Sequence, residues 1–90
     1  MATYSVRILK PAIRDLERLD KSTGHRITQR ILWLSKYLDS IKPVALKGEL
    51  AGLFKLREGD YRIFSQIIHN EKLILIHSIG HRKNVYRNKK

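Results

Sequence analysis

The sequence predicts an α+β fold of order β-α-α-β-β-β, an antiparallel sheet with a helical hairpin packed on one face. Three observations carry this. Between Pro11 and Leu38 the apolar residues recur three and four apart, the period of a helix. After Gly52 the period drops to two, and turn residues cut that half into three strands. A short alternating segment precedes Pro11. Helices gathered in one part of the chain and strands in another are the mark of α+β order.

Each element has its own signal. Thr3 to Leu9 sets Tyr4, Val6 and Ile8 against Thr3, Ser5 and Arg7, a half-buried strand. Pro11 suits the first turn of a helix, where its missing N–H costs nothing, and Ile13, Leu16 and Leu19 make its apolar stripe. Ser22-Thr23-Gly24 reads as the turn of the hairpin. Ile27, Ile31, Leu34 and Leu38 form the stripe of the second helix, with Trp33 and Tyr37 on its margins. Ile41 to Gly52 holds Pro43, Gly48 and Gly52 and reads as a loop. Leu53 to Arg57 is a strand, Glu58-Gly59-Asp60 a turn, Tyr61 to His69 a longer strand, Asn70-Glu71 a turn. Leu73 to Ile79 is a strongly apolar strand that Gly80 ends. The last three strands suit an antiparallel meander.

The 90 residues suit one domain, 1–90, of limited core. There is no cysteine, so neither a disulfide nor a thiolate metal site can form. No stretch approaches the roughly 20 apolar residues of a membrane span, and the N-terminus lacks the apolar run of a signal peptide. The expectation is a cytoplasmic protein that uses no membrane. Charge narrows the partners. Nineteen Lys and Arg stand against eight Asp and Glu, a net charge of +11. Such a surface attracts polyanions and releases their counterions on binding. The basic residues are spread over the chain rather than along one amphipathic helix, which favours nucleic acid over a membrane surface.

Register decides which cations meet. With Gly59-Asp60 as a two-residue hairpin loop, Glu58 opposes Tyr61 and Arg57 opposes Arg62. Lys55, Arg57, Arg62 and Gln66 then share one face, and Phe54, Leu56, Ile63 and Ile67 the other, where the helices sit. Directly opposed arginines destabilise a sheet unless an anion lies between them. Past the next strand, His81 and Arg82 project at the sheet end, and Tyr86 adds a ring that can stack on a base. Taken singly, Lys55 and Arg57 read as solvated strand residues, Tyr61 as a hairpin aromatic, and His25, His69 and His77 as structural. There is no phosphate-binding glycine loop, no nucleophile triad and no carboxylate pair placed for acid–base work. No carboxylate can be placed beside His81. An enzyme built from these residues would use cations, with no metal and no cofactor.

Several stretches resemble the RelE/ParE toxin superfamily. They are Leu46-Lys47-Gly48-Glu49-Leu50, the run Leu53-Phe54-Lys55-Leu56-Arg57-Glu58-Gly59-Asp60-Tyr61-Arg62-Ile63, and Ile79-Gly80-His81-Arg82-Lys83-Asn84-Val85-Tyr86. The resemblance covers nearly the whole chain and is specific in its second half. It implies a RelE-like fold and a toxin neutralised by a cognate antitoxin, expected here to be acidic. RelE-type members enter the ribosomal A site and cut mRNA, so the implied partners include mRNA and ribosomal RNA. The resemblance places the catalytic positions on Lys55, Arg62, Arg82 and Tyr86 and an RNA-binding cation at Arg57; His81 beside them joins the catalytic candidates, and Lys47, Lys83 and Arg87 are further candidate RNA-binding cations. Two positions depart from the pattern: Leu53 and His81 stand where the prototype has lysines.

The chemistry suits these residues. When a 2′-OH attacks the adjacent phosphate, a proton must leave, charge builds on the phosphorane, and the departing 5′-oxygen needs a proton. Arg62 is the expected stabiliser of that charge, with Arg82 assisting. Lys55 is a candidate base because neighbouring cations favour its uncharged amine; His81 is the other, since imidazole titrates near neutrality. Tyr86 would stack on a base or act as acid. Two other readings stay open: a ParE-type inhibitor of DNA gyrase that cuts no RNA, and an RNA-binding module without chemistry.

Overall fold

The computed structural model describes residues 3–83. Its strands are β1 (Ser5–Ile8), β2 (Val44–Ala45), β3 (Phe54–Glu58), β4 (Tyr61–Ile68) and β5 (Leu73–His81), and its helices are α1 (Lys10–Glu17) and α2 (Lys21–Tyr37). The sheet runs β1-β5-β4-β3-β2, with β2 to β5 pairing antiparallel. The expected meander and the α+β order are therefore present. β1 differs from the all-antiparallel expectation: it lies parallel to β5, Val6 opposite Ile74 and Ile8 opposite Ile76, so the sheet is mixed. Alternation reports which face a strand buries and is blind to its direction, so nothing in residues 3–9 distinguishes the two pairings. The two-residue β2, inside the expected loop, is too short to show a period.

The helices also begin differently from expectation. The break between them falls at Asp20, not at Ser22-Thr23-Gly24. The Asp20 carboxylate accepts the Thr23 N–H at 3.2 Å and caps α2, so Gly24 lies inside the first helical turn. Ala12 is fully buried in α1, and Leu16, with Leu19 just past the helix end, packs partly buried against the same core, while Ile13 is 42% exposed. A four-then-three spacing keeps residues on one helix face, and the small Ala12 lets α1 lie close against β5.

Ile27, Ile31, Leu34 and Leu38 are buried as expected and pack with Tyr4, Ile63, Ile74, Ile76 and Ile79 in one continuous core. Each fully buried side chain of this kind contributes about 1.5–3 kcal/mol. Ile76 and Ile79 are three apart, an odd spacing that strict alternation would send to opposite faces. A register shift solves this. Phe64 opposes Ser78 but Ser65 opposes Ile76, which leaves His77 unmatched in a β-bulge. The bulge returns Ile79 to the core and continues the strand through Gly80, the expected stop, to His81. No helix among the described residues is long and apolar enough to cross a membrane.

Candidate functional site

The hairpin between β3 and β4 builds the cationic face. Gly59, the first of its two loop residues, has φ +57°, the conformation for which such turns select glycine. The loop therefore holds two residues, and the expected register follows: Glu58 faces Tyr61, Arg57 faces Arg62 and Lys55 faces Phe64. Leu56, Ile63 and Ile67 turn to the helices. Arg57, Arg62 and Lys55 turn away from them. Arg57 is exposed and Lys55 half-buried, whereas Arg62 is only 9% exposed.

Arg62 is unusual in its surroundings. One guanidinium nitrogen reaches back over the turn to the Gly59 and Tyr61 carbonyls at 3.4 and 3.3 Å, long for hydrogen bonds. Its buried Nε has no hydrogen-bond partner among the described residues. No described carboxylate forms an ion pair with it; the described pairs are Arg30–Glu58 and Arg82–Asp60. The next cation on its face is Arg57, directly across the ladder. A partly buried cation of this kind carries a desolvation cost that a bound anion would offset.

β5 brings the remaining residues up. The bulge sets Gly80 directly across from Arg62 and His81 across from Tyr61. The Tyr61 and His81 rings meet edge to face at 5.4 Å. The Arg82 N–H donates to the Asp60 carbonyl at 2.8 Å, continuing the ladder by a rung. Arg82 stands just past the end of β5, and its Nε lies 3.7 Å from the Asp60 carboxylate. His81 Nδ1 accepts the Lys83 N–H at 3.2 Å, so a neutral ring carries its proton on Nε2 and presents a donor.

Two clefts flank these residues. The larger, about 530 Å³, has Tyr61, Phe64, Ser78, Gly80 and His81 on its sheet side, Asp15 and Arg18 at its α1 side, and Leu50 from the loop before β3. The second, about 440 Å³, runs along the outer edge of β3 and is lined by Lys55, Arg57, Arg30, Trp33 and Lys42. Arg30 stacks over the Trp33 ring at 4.2 Å there. Lys55 and His81 thus line different clefts. Two strands and three ladder rungs separate them, and an odd rung count puts them on opposite faces. They do not form a base–acid pair in this arrangement. Lys47 and Lys83 are exposed, and neither lines these clefts. Tyr86 and Arg87 lie outside the described residues.

The sequence reading missed Asp15, Arg18, Leu50 and Phe64. Phe64 is 3% exposed yet stands outside the continuous core, on the cationic face. Nothing local marks these residues, because only the assembled sheet and α1 bring them together. Of the histidines set aside as structural, His77 occupies the bulge and meets Gln66 at 3.2 Å, and His69 Nδ1 lies 3.1 Å from the Tyr4 hydroxyl.

Known proteins share this fold. The model of the ParE toxin of type II toxin–antitoxin systems matches residues 6–86. The toxin RelG of Mycobacterium tuberculosis is 32% identical over 88 residues, covering 93% of this chain and 97% of the relative. The chain belongs to the RelE/ParE toxin family. Solved structures place the toxin closer to the RelE members. The toxin–antitoxin complex RelBE2 from Mycobacterium tuberculosis matches with a TM-score of 0.82 at 29% identity, over 93% of this toxin and 97% of that chain. The archaeal RelE–RelB complex from Pyrococcus horikoshii matches with a TM-score of 0.72 at 25% identity, over 91% and 98%. The toxin is therefore the toxic partner of a type II pair.

Proposed function

We propose that the toxin is an endoribonuclease that cleaves mRNA in the ribosomal A site in the cytoplasm, and that an acidic antitoxin neutralises it. One observation carries the reading: Arg62 is nine-tenths buried, and among the described residues its Nε has no hydrogen-bond partner and neither it nor Arg57, which it faces, forms an ion pair with a carboxylate. A phosphate between the two arginines completes that arrangement, and preorganised cations aimed at a phosphorane are what the reaction needs. RelB antitoxins in the complexes of its relatives support a protein partner.

In the proposed reaction the 2′-oxygen of the substrate attacks the adjacent phosphorus. The O2′–P bond forms, the P–O5′ bond breaks, and the products are a 2′,3′-cyclic phosphate and a 5′-hydroxyl. Arg62 and Arg57 hold the non-bridging oxygens as charge accumulates, and Arg82 assists from the next strand. Lys55, two residues from Arg57 on the same face, is assigned as the group that takes the 2′ proton. The departing 5′-oxygen takes its proton from water, and His81, on the opposite face from Lys55, presents its Nε2–H to the RNA as a hydrogen-bond donor. Lys47, Lys83 and Arg87 add to RNA attraction, and Tyr86 stacks on a base.

The test is a translation extract supplied with the toxin, followed by mapping of mRNA ends. New ends with 5′-hydroxyls are expected with wild type and none with Arg62→Ala. Arrest of growth with intact messages and inhibited gyrase would replace this reading with the ParE-type one.

A further inference from the structure

We infer that Asp15 reads the substrate base: its carboxylate accepts the N–H donors of a guanine seated in the larger cleft. The inference rests on RNA being the substrate, as proposed above. Asp15 stands in the last turn of α1, where the helix end is partially negative and a carboxylate is locally unfavourable. Something must hold it there. β1 ends at Ile8, opposite Ile76, so β5 runs on beyond its parallel neighbour. Asp15 Oδ2 takes the Ile79 N–H, in that overhang, at 2.8 Å. A neutral acceptor would cap the strand equally well and without charge at a helix C-terminus.

One N–H uses only part of a carboxylate, which accepts about four hydrogen bonds. Asp15 has no ion pair among the described residues, although the chain carries 19 Lys and Arg. Its carboxylate lines the cleft with Arg18, Tyr61, Phe64, Gly80 and His81, where rings and a cation suit a flat base. The cleft also reaches the reaction face. Gly80 lines it and stands directly across from Arg62, so the cleft adjoins the strand that carries the phosphate-binding arginine.

A carboxylate only accepts, which selects among bases. Guanine offers two adjacent donors, N1–H and the N2 amino group. Adenine and cytosine offer one amino group beside a bare ring nitrogen that repels an anion. Uracil has a single N–H between two carbonyl oxygens. Guanine is therefore favoured, and a well-formed paired contact discriminates by about tenfold or more.

Asp15→Asn separates this role from the structural one. Its amide oxygen still accepts the Ile79 N–H, while its NH2 offers the cleft a donor in place of an acceptor. Asp15→Ala loses both. Short RNAs blocked by 2′-O-methylation and varied one base at a time would be titrated by fluorescence anisotropy, with melting temperatures recorded. Wild type should prefer guanine at one position by about tenfold. Asp15→Asn should lose that preference with its melting temperature kept, and Asp15→Ala should lose both. Wild type without a base preference, or Asp15→Asn that keeps the guanine preference, overturns the inference. Guanine-selective binding with uncut messages in the extract would sink the nuclease reading and leave this one standing.

Discussion

Arg62 sits where a protein selected for stability alone would not place a charge. It is nearly buried, opposite another arginine, and its hydrogen bonds are long. Arg62→Ala therefore predicts a dissociation of activity from stability. Cleavage should fall by about 100-fold or more, as when a preorganised donor to a developing oxyanion is removed. The melting temperature should hold or rise, since an uncompensated cation leaves with the side chain. Single-turnover cleavage and thermal denaturation on the same preparation decide it; a collapsed fold would make Arg62 a structural residue. Tyr4 gives a second residue-scale outcome. Burial, with the Asp39 carboxylate beside it, holds its phenol above the usual range. A raised value means stability present below the unfolded value of about 10 and lost as pH rises through the folded one. Wild type should thus lose melting temperature more steeply than Tyr4→Phe between about pH 9 and 11, and parallel curves would contradict the assignment. The cationic pair was legible in the sequence because Gly59-Asp60 fixes loop length and loop length fixes register. Asp15 was not, because its partner Ile79 lies 64 residues away and no local pattern joins an α1 carboxylate to the edge of a strand.

At the scale of elements, short-range chemistry settles the helices and long-range pairing settles the sheet. Asp20 caps α2 through Thr23 N–H, and hydrogen bonding from the Thr23 side chain first, and from that N–H second, holds its carboxyl below the usual range. A depressed carboxyl contributes stability above its unfolded value, which disappears as pH falls through the folded one. Asp20→Ala should lower the melting temperature near neutrality by about 4–8 °C, the shift of a typical cap loss in a domain this size. Asp20→Asn should keep most of it and flatten the acid limb below about pH 4. Equal acid limbs for wild type and Asp20→Asn would remove Asp20 as the source. The cap was visible in principle: an aspartate three residues before the N–H it accepts is a helix-start signal, but Gly24 is the louder breaker. The apolar stripe of α2 was fully legible, since four large side chains at helical spacing leave one face to bury. In α1 the stripe was misplaced by a residue, because Ile13 is more hydrophobic than Ala12 and close packing selects the smaller. The bulge at His77 could not be read from alternation, as it is alternation's failure; Ile76 and Ile79 three apart are its only trace.

At the scale of the molecule, the charge of +11 and the weakness of the proton-transfer set point to the same working condition. On the proposed function that charge would draw the toxin to ribosomal RNA and to an acidic antitoxin, and both associations should weaken as salt screens them. In the proposed reaction the site offers several cations to the phosphorane but has Lys55 and His81 on opposite faces, in different clefts. No described histidine stands beside Lys55 to finish a base–acid relay. A site of this kind stabilises charge well and moves protons poorly, so its rate depends on a substrate held close to in-line geometry. Positioning of that sort can contribute several kcal/mol of a barrier, up to about 7–11. The decoding site holds a codon in a fixed conformation, and a basic toxin docked beside it inherits that positioning. Purified toxin should therefore cut naked mRNA slowly or not at all, and should cut the same message rapidly on a ribosome with an open A site. Single-turnover cleavage of one labelled message, with and without ribosomes at matched salt, makes the comparison. Equal rates would mean that the toxin's own residues, Tyr86 among them, complete the proton relay, and that the ribosome contributes binding alone.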